Sequence, residues 1–149
     1  MDRDINERNR ASLDRVRALA ARLSEEELLR SIDPPWTAAA LFAHVAFWDR
    51  FVHARWLHAV RIGSVWPVSI DDAAVELLNE AALSQWTVIP PRIAVEECVA
   101  AAAAIDGFIG SIDPGTISQA VREGRERLVD RSLHRGEHLD TIEAAFPGQ

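Results

Sequence analysis

Two histidines four residues apart, His134 and His138, bound the string His134-Arg135-Gly136-Glu137-His138, and a third, His44, stands alone ninety residues earlier. On a helix, an i, i+4 pair places both imidazoles on one face with β-carbons about 5–6 Å apart, close enough to hold one cation together. A third imidazole from a facing helix would complete a three-nitrogen site with one position left open. The chemistry of such a site is that of a Lewis acid, which makes a bound water or thiol give up its proton more readily. The plainer alternative for the pair is two surface histidines that happen to be four apart.

His44 sits in strongly apolar surroundings. At 100° per residue, Leu41, Trp48, Phe51, Phe47 and Ala40 all fall within about 60° of it on a helical wheel. A polar ring buried there without a partner costs roughly 1–3 kcal/mol, so its nitrogens must be met by a backbone carbonyl or by an ion. His53 lies about 180° from His44, and His58 is some 21 Å further along the same helix, so neither can join it. The string around His134 also fits the H-x-x-E-H pattern of inverted zinc peptidases, with Glu137 as base. That pattern calls for a further carboxylate ligand well downstream, and eleven residues follow His138.

The elements that must carry these residues read as helices nearly throughout. Leu13, Val16, Ala20 and Leu23 recur at helical spacing, giving a first helix from roughly Asp4 to Leu23. Ser24 with Glu27 reads as a capping box, Asp33-Pro34-Pro35 as a break, and Thr37 as the N-cap of a second long helix from about Ala38 to Arg61 that stops at Gly63. A loop with Trp66 and Pro67 leads to a helix start at Ser69 and Asp72, which runs to Pro90-Pro91. A third long helix is expected from about Ile93 to Ile112, a turn at Asp113-Pro114-Gly115, and a last helix from about Arg125 to Phe146. Four long helices predict an all-α, single-domain four-helix bundle over residues 1–149, and bundle cores are a usual place for metal sites.

Composition narrows the partners. The net charge is −7, with sixteen basic residues that are all arginine, which argues against a phosphate-binding surface and hence against nucleic acid. The longest uncharged stretch, Pro34 to Trp48, is too short for a bilayer that needs about 20 apolar residues, so no membrane span is expected. The lone Cys98 cannot form an internal disulfide, and Met1-Asp2-Arg3-Asp4 does not resemble a secretion signal. A cytoplasmic protein is expected.

Two stretches carry a resemblance to a known family. Pro34-Pro35-Trp36-Thr37 followed by Leu41-Phe42-Ala43-His44-Val45-Ala46-Phe47-Trp48-Asp49 is similar to the first motif of the DinB/YfiT-like superfamily of metal-binding four-helix bundles. The run from His134 through Glu137, His138 and Leu139 to Ile142 is similar to the second. The resemblance implies His44, His134 and His138 as metal ligands, zinc or nickel as the ion, frequent homodimers, and a long crossover between the second and third long helices. Activities in that family include thiol S-transfer with mycothiol or bacillithiol and mycothiol-dependent maleylpyruvate isomerisation. Its name refers to damage-inducible expression, a stress response, and not to DNA binding.

Other residues could serve such a site. Glu137, between the two late histidines, is a candidate general base or a carboxylate that orients a ligand; otherwise it is an exposed glutamate. Arg127, Arg131 and Arg135 form an i, i+4, i+8 row that could receive the carboxylates of a thiol cofactor, or could form a solvated face paired with Glu123. Trp36, Phe47, Trp48 and Phe51 would line an apolar substrate pocket or serve as core. Asp49 and Asp130 are weaker candidates, and Cys98 reads as packing. The expected function is a metal-dependent small-molecule enzyme, a thiol S-transferase or detoxifying hydrolase acting on an electrophile. The competing classes are a non-catalytic metal-binding or stress-response sensor protein and a metal-free helical interaction module.

Overall fold

The structure, a computed structural model, describes residues 2–148, with side chains from Ile5 onward. Met1, which opens the segment read above as carrying no secretion signal, lies outside them, as does Gln149. In chain order the elements are α1 (Asp2–Arg22), α2 (Glu25–Leu28), β1 (Ser31–Asp33), β2 (Trp36–Thr37), α3 (Ala38–Ile62), α4 (Asp72–Trp86), α5 (Pro91–Gly110), α6 (Pro114–Arg122), one 3-10 turn (Glu126–Leu128) and α7 (Ser132–Ala145). The fold is all-α: α1 packs on α5 and α7, and α3 packs on the same two, so α1 and α3 occupy opposite corners of a four-helix bundle. The crossover from α3 to α5 carries α4, which lies against α3.

Local chemistry sets most boundaries. Ser24 and Glu27 form both hydrogen bonds of a capping box, with Glu27 N–H donating to Ser24 Oγ at 3.1 Å and Ser24 N–H to Glu27 Oε1 at 3.0 Å. Thr37 Oγ1 accepts from Ala40 N–H at 3.0 Å and so starts α3. Gly63 ends it in the left-handed region, at φ 70°, where a side chain would be strained.

Several boundaries differ from expectation. The cap of α4 is Asp71, not Ser69, because Asp71 Oδ1 accepts from Ala74 N–H at 2.8 Å. The segment 113–115 is not a free turn: Asp113 caps α6 through Thr116 N–H, with Pro114 in its first turn. The last helix starts at Ser132 rather than Arg125, since the chain leaves the 3-10 turn in a non-helical conformation at Val129. The strands β1 and β2 were not expected; they form a small antiparallel hairpin around Pro34-Pro35, too short to show alternation.

Buried apolar side chains fall into two clusters. One holds residues such as Val16, Leu19, Phe42, Val45, Cys98 and Leu139; the other holds Ile5, Val52, Trp56, Ile105, Ile117 and Val129. Between them in sequence on the same helices lie the buried polar residues Asn9, Ser12, Asp49, Arg131 and Arg135. They bond to one another. Arg131 Nε donates to Asp49 Oδ1 at 2.8 Å and Arg135 Nε to Asp49 Oδ2 at 2.9 Å, while the two terminal nitrogens of Arg135 donate to Asp106 at 3.0 and 2.7 Å.

The start of α7 has no cap of its own. Asn9 of α1 supplies it: Asn9 Oδ1 accepts from Arg131 N–H at 2.8 Å and Ser132 N–H at 3.1 Å, and Asn9 Nδ2 donates to Val129 O at 2.9 Å. Helix α7 is thus fixed at its N-terminus by Asn9 of α1, packs along α1 and α3, and is tied to α5 through Arg135. Replacing Asp49 by Ala strands two buried guanidinium groups and is expected to cost about 3–5 kcal/mol in urea unfolding, against about 1–2 kcal/mol for Asn9→Ala. Equal midpoints for wild type and Asp49→Ala would show that the polar layer does not hold the bundle together.

Candidate metal centre

Helices α3 and α7 bring the three histidines together. His44 Nε2 lies 3.1 Å from His134 Nε2 and 3.1 Å from His138 Nε2, and one nitrogen from each ring falls within 4.8 Å of the others. Register explains the meeting. Asp49 follows His44 by five residues on α3, while Arg131 and Arg135 bracket His134 on α7, so the ion pairs that clamp the helices also align the rings.

Packing fixes the orientation of His44. Its ring stands edge-on to Trp36 at 5.4 Å and to Trp86 at 5.0 Å. The Nδ1 atoms of His44 and His134 are buried with no hydrogen-bond partner among the described residues. Metal-binding histidines more often have that nitrogen held by a carboxylate or carbonyl. For His44 the walls of Trp36 and Trp86 do the positioning.

The donor set fits a divalent ion. Burial is the main cause that lowers the basicity of all three rings: His44 is pushed down to about 3, and His134 and His138 also fall below the ordinary histidine value. Repulsion from Arg131 adds to the effect at His134. The rings are therefore neutral near pH 7, the state in which imidazole donates a lone pair. His44 Nε2 has either one proton or one lone pair to share between two neighbours at 3.1 Å, whereas one cation accepts the lone pairs of all three rings.

The site opens on a cavity of about 930 Å³. Leu41, His44, Trp48, Val52 and Arg55 form one wall along α3, Trp36 of the hairpin lies at the His44 end, and Pro67 to Asn79 contribute from the crossover. Asn79 is fastened there, its Oδ1 accepting from Trp48 Nε1 at 2.8 Å.

The other expected residues separate into groups. Glu137 lines the cavity and pairs with Arg127 at 2.8 Å in an exposed ion pair. Arg135 is not available to a cofactor: it is completely buried, and its guanidinium donates to Asp49, Asp106, Ser12 Oγ and the carbonyls of Asn9 and Ala102. Arg131 lines the cavity but is held by Asp49 and the Arg127 carbonyl. The expected arginine row is thus largely a buried anchor. Trp36 and Trp48 line the cavity, whereas Phe47 and Phe51 do not. They stack on each other at 5.9 Å, with Phe51 covered by Trp48 and by the Arg55 guanidinium, and Phe47 turned to Trp86. Asp49 acts through the arginines, Asp130 pairs with Arg8, and burial pushes the Cys98 thiol up, which suits packing.

Sequence reasoning missed Trp86, Asn79 and Arg55. Trp86 and Asn79 belong to the crossover helix, and no local pattern relates them to His44; Arg55 shares the His44 face at i+11, a signal that the wheel contains.

Fold and centre together define a helical bundle fitted to bind a metal through three histidines. Within that class, residues 8–141 match the DinB superfamily, and the chain belongs to it. No curated protein and no solved structure matches the chain. No helix among the described residues is long and apolar enough to cross a membrane.

The neutral rings make stability depend on pH. In the unfolded chain each imidazole takes up a proton near pH 6.5, but in the folded, metal-free protein His44 does so only near 3. Between those values the unfolded state binds more protons, so this contribution is complete above about pH 6.5 and shrinks on acidification, by about 1 kcal/mol per pH unit for each such histidine. Urea unfolding of chelator-treated protein from pH 7.5 to 5 should show that slope, with a smaller one for His44→Leu. Identical slopes would mean that His44 is not held neutral.

Proposed function

We propose that this protein is a metal-dependent enzyme acting on small molecules, a thiol S-transferase or a detoxifying hydrolase, with His44, His134 and His138 holding zinc or nickel. The observation that carries the reading is the convergence of three neutral imidazoles at the wall of a cavity large enough for a small molecule. When bound, a divalent ion supplies a positive charge that lowers the pKa of a thiol or water brought to it.

The chain's own residues have separate parts. The indoles of Trp36 and Trp48, with Leu41, exclude water from the end of the cavity beside His44 and receive the apolar part of an electrophile. Glu137, held by Arg127, takes the proton released from the incoming thiol or water. In the transfer, the thiol sulfur bonds to the electrophilic carbon, and the leaving group departs with the bonding electron pair. In hydrolysis, a water oxygen takes the place of sulfur. Arg131 and Arg135 act at one remove, by keeping α7 in register with α3.

Elemental analysis of untagged protein is the first test: wild type should carry about one divalent ion per chain and His44→Ala far less. Equal content in the two would reject His44 as a ligand. In a panel of electrophiles with low-molecular-weight thiols, Glu137→Gln should keep the metal and lower kcat about 100-fold. A fully loaded wild type with neither thiol-conjugating nor hydrolytic activity would refute the enzymatic reading.

A further inference from the structure

The positive charges along the cavity are not equally compensated. Arg131 is paired with Asp49 at 2.8 Å and Arg127 with Glu137 at 2.8 Å, while Arg125 lies 3.8 Å from Glu123 with its guanidinium over the Trp66 ring. Arg55 has no carboxylate partner among the described residues. Its Nε and Nη2 both donate to the Val68 carbonyl, at 2.9 and 2.5 Å, and its guanidinium carbon is 5.8 Å from the centre of the Phe51 ring. Two of its five N–H groups are used in this way, and three are left. Burial, and then the nearby Arg131, make its charged form less favourable than in water.

Its position gives the charge a direction. Leu41, His44, Trp48, Val52 and Arg55 follow at intervals of three, four, four and three, so they form one stripe of α3, and all of them line the cavity. Arg55 lies three turns beyond His44, about 16 Å along the axis. The stripe between them is apolar.

We propose that Arg55 is the anion anchor of this cavity, and that the site takes an elongated, largely apolar molecule whose carboxylate ends at Arg55 while its other end meets the three histidines. The proposal rests on reading the cavity as a small-molecule site. A monoanion suits it better than a phosphate, because Asp33, Asp72 and Glu126 also line the cavity and oppose a second negative charge. A carboxylate also matches the two-pronged donor geometry of a guanidinium.

Decanoate and decanamide, titrated calorimetrically into the full chain both metal-free and zinc-loaded, test the anchor. In both forms decanoate should bind at least about tenfold more tightly than decanamide, and Arg55→Met should bring the two within about twofold. Arg55→Lys should keep part of the preference. Equal binding of the two probes by wild type, an undiminished preference in Arg55→Met, or inorganic phosphate displacing decanoate at matching concentration would each overturn the proposal. If Arg55→Met does not fold for want of its bond to Val68, Arg55→Gln retains a donor for that carbonyl and gives the same readout. The metal-free arm keeps the two readings apart: a carboxylate preference in protein that binds no zinc upholds the anchor while the metal reading fails, and zinc binding without the preference sinks the anchor alone.

Discussion

Asp49 accepts from two arginines of α7 at once, in the interior of the bundle, and the geometry of the site follows from that grip. A carboxylate and two guanidinium groups lose much hydration there, and only multiple hydrogen bonds offset the cost. Asp106, Ser12 and backbone carbonyls supply them. The arrangement adds little to stability compared with an apolar core of the same volume. What it specifies is register: sliding α7 by one turn would part Arg135 from Asp106 and Ser12 and break the paired grip on Asp49, and such a state is strongly disfavoured. Because the histidines sit within five residues of these charges on the same two helices, fixing the charges fixes the rings.

The histidines and the polar layer solve opposite problems. The layer keeps charges inside by pairing them, whereas the centre keeps its rings uncharged by burial, His44 against the indoles of Trp36 and Trp86. A neutral imidazole needs no counter-charge, which leaves its lone pair available to a cation. The crossover completes the enclosure, through Trp86 against His44 and Asn79 against Trp48. The length of that crossover therefore has a physical reason: it must reach back over α3 to wall the cavity before returning to the bundle.

Much of this was legible in the chain. The i, i+4 histidines, the apolar stripe around His44, the capping box at Ser24 and the stop at Gly63 each depend on neighbours a few residues away, and each is local physics. The misread parts depend on distant partners. Helix α7 buries Arg135 on its core side, so its amphipathic pattern is weak and the arginine row looked solvated. Its true start was hidden because the cap comes from Asn9, more than a hundred residues away. Phe47 and Phe51 lay on a plausible bearing, but which side of that face meets the cavity is decided by Arg55 and α4.

The cap that Asn9 places on α7 joins two segments synthesised far apart in time. The earlier segment must wait, with the Asn9 amide unsatisfied by these partners, until residues 129–132 emerge from the ribosome. The centre accordingly assembles only after α7 has been made, and a nascent chain has no competent cradle for scavenging ions before then.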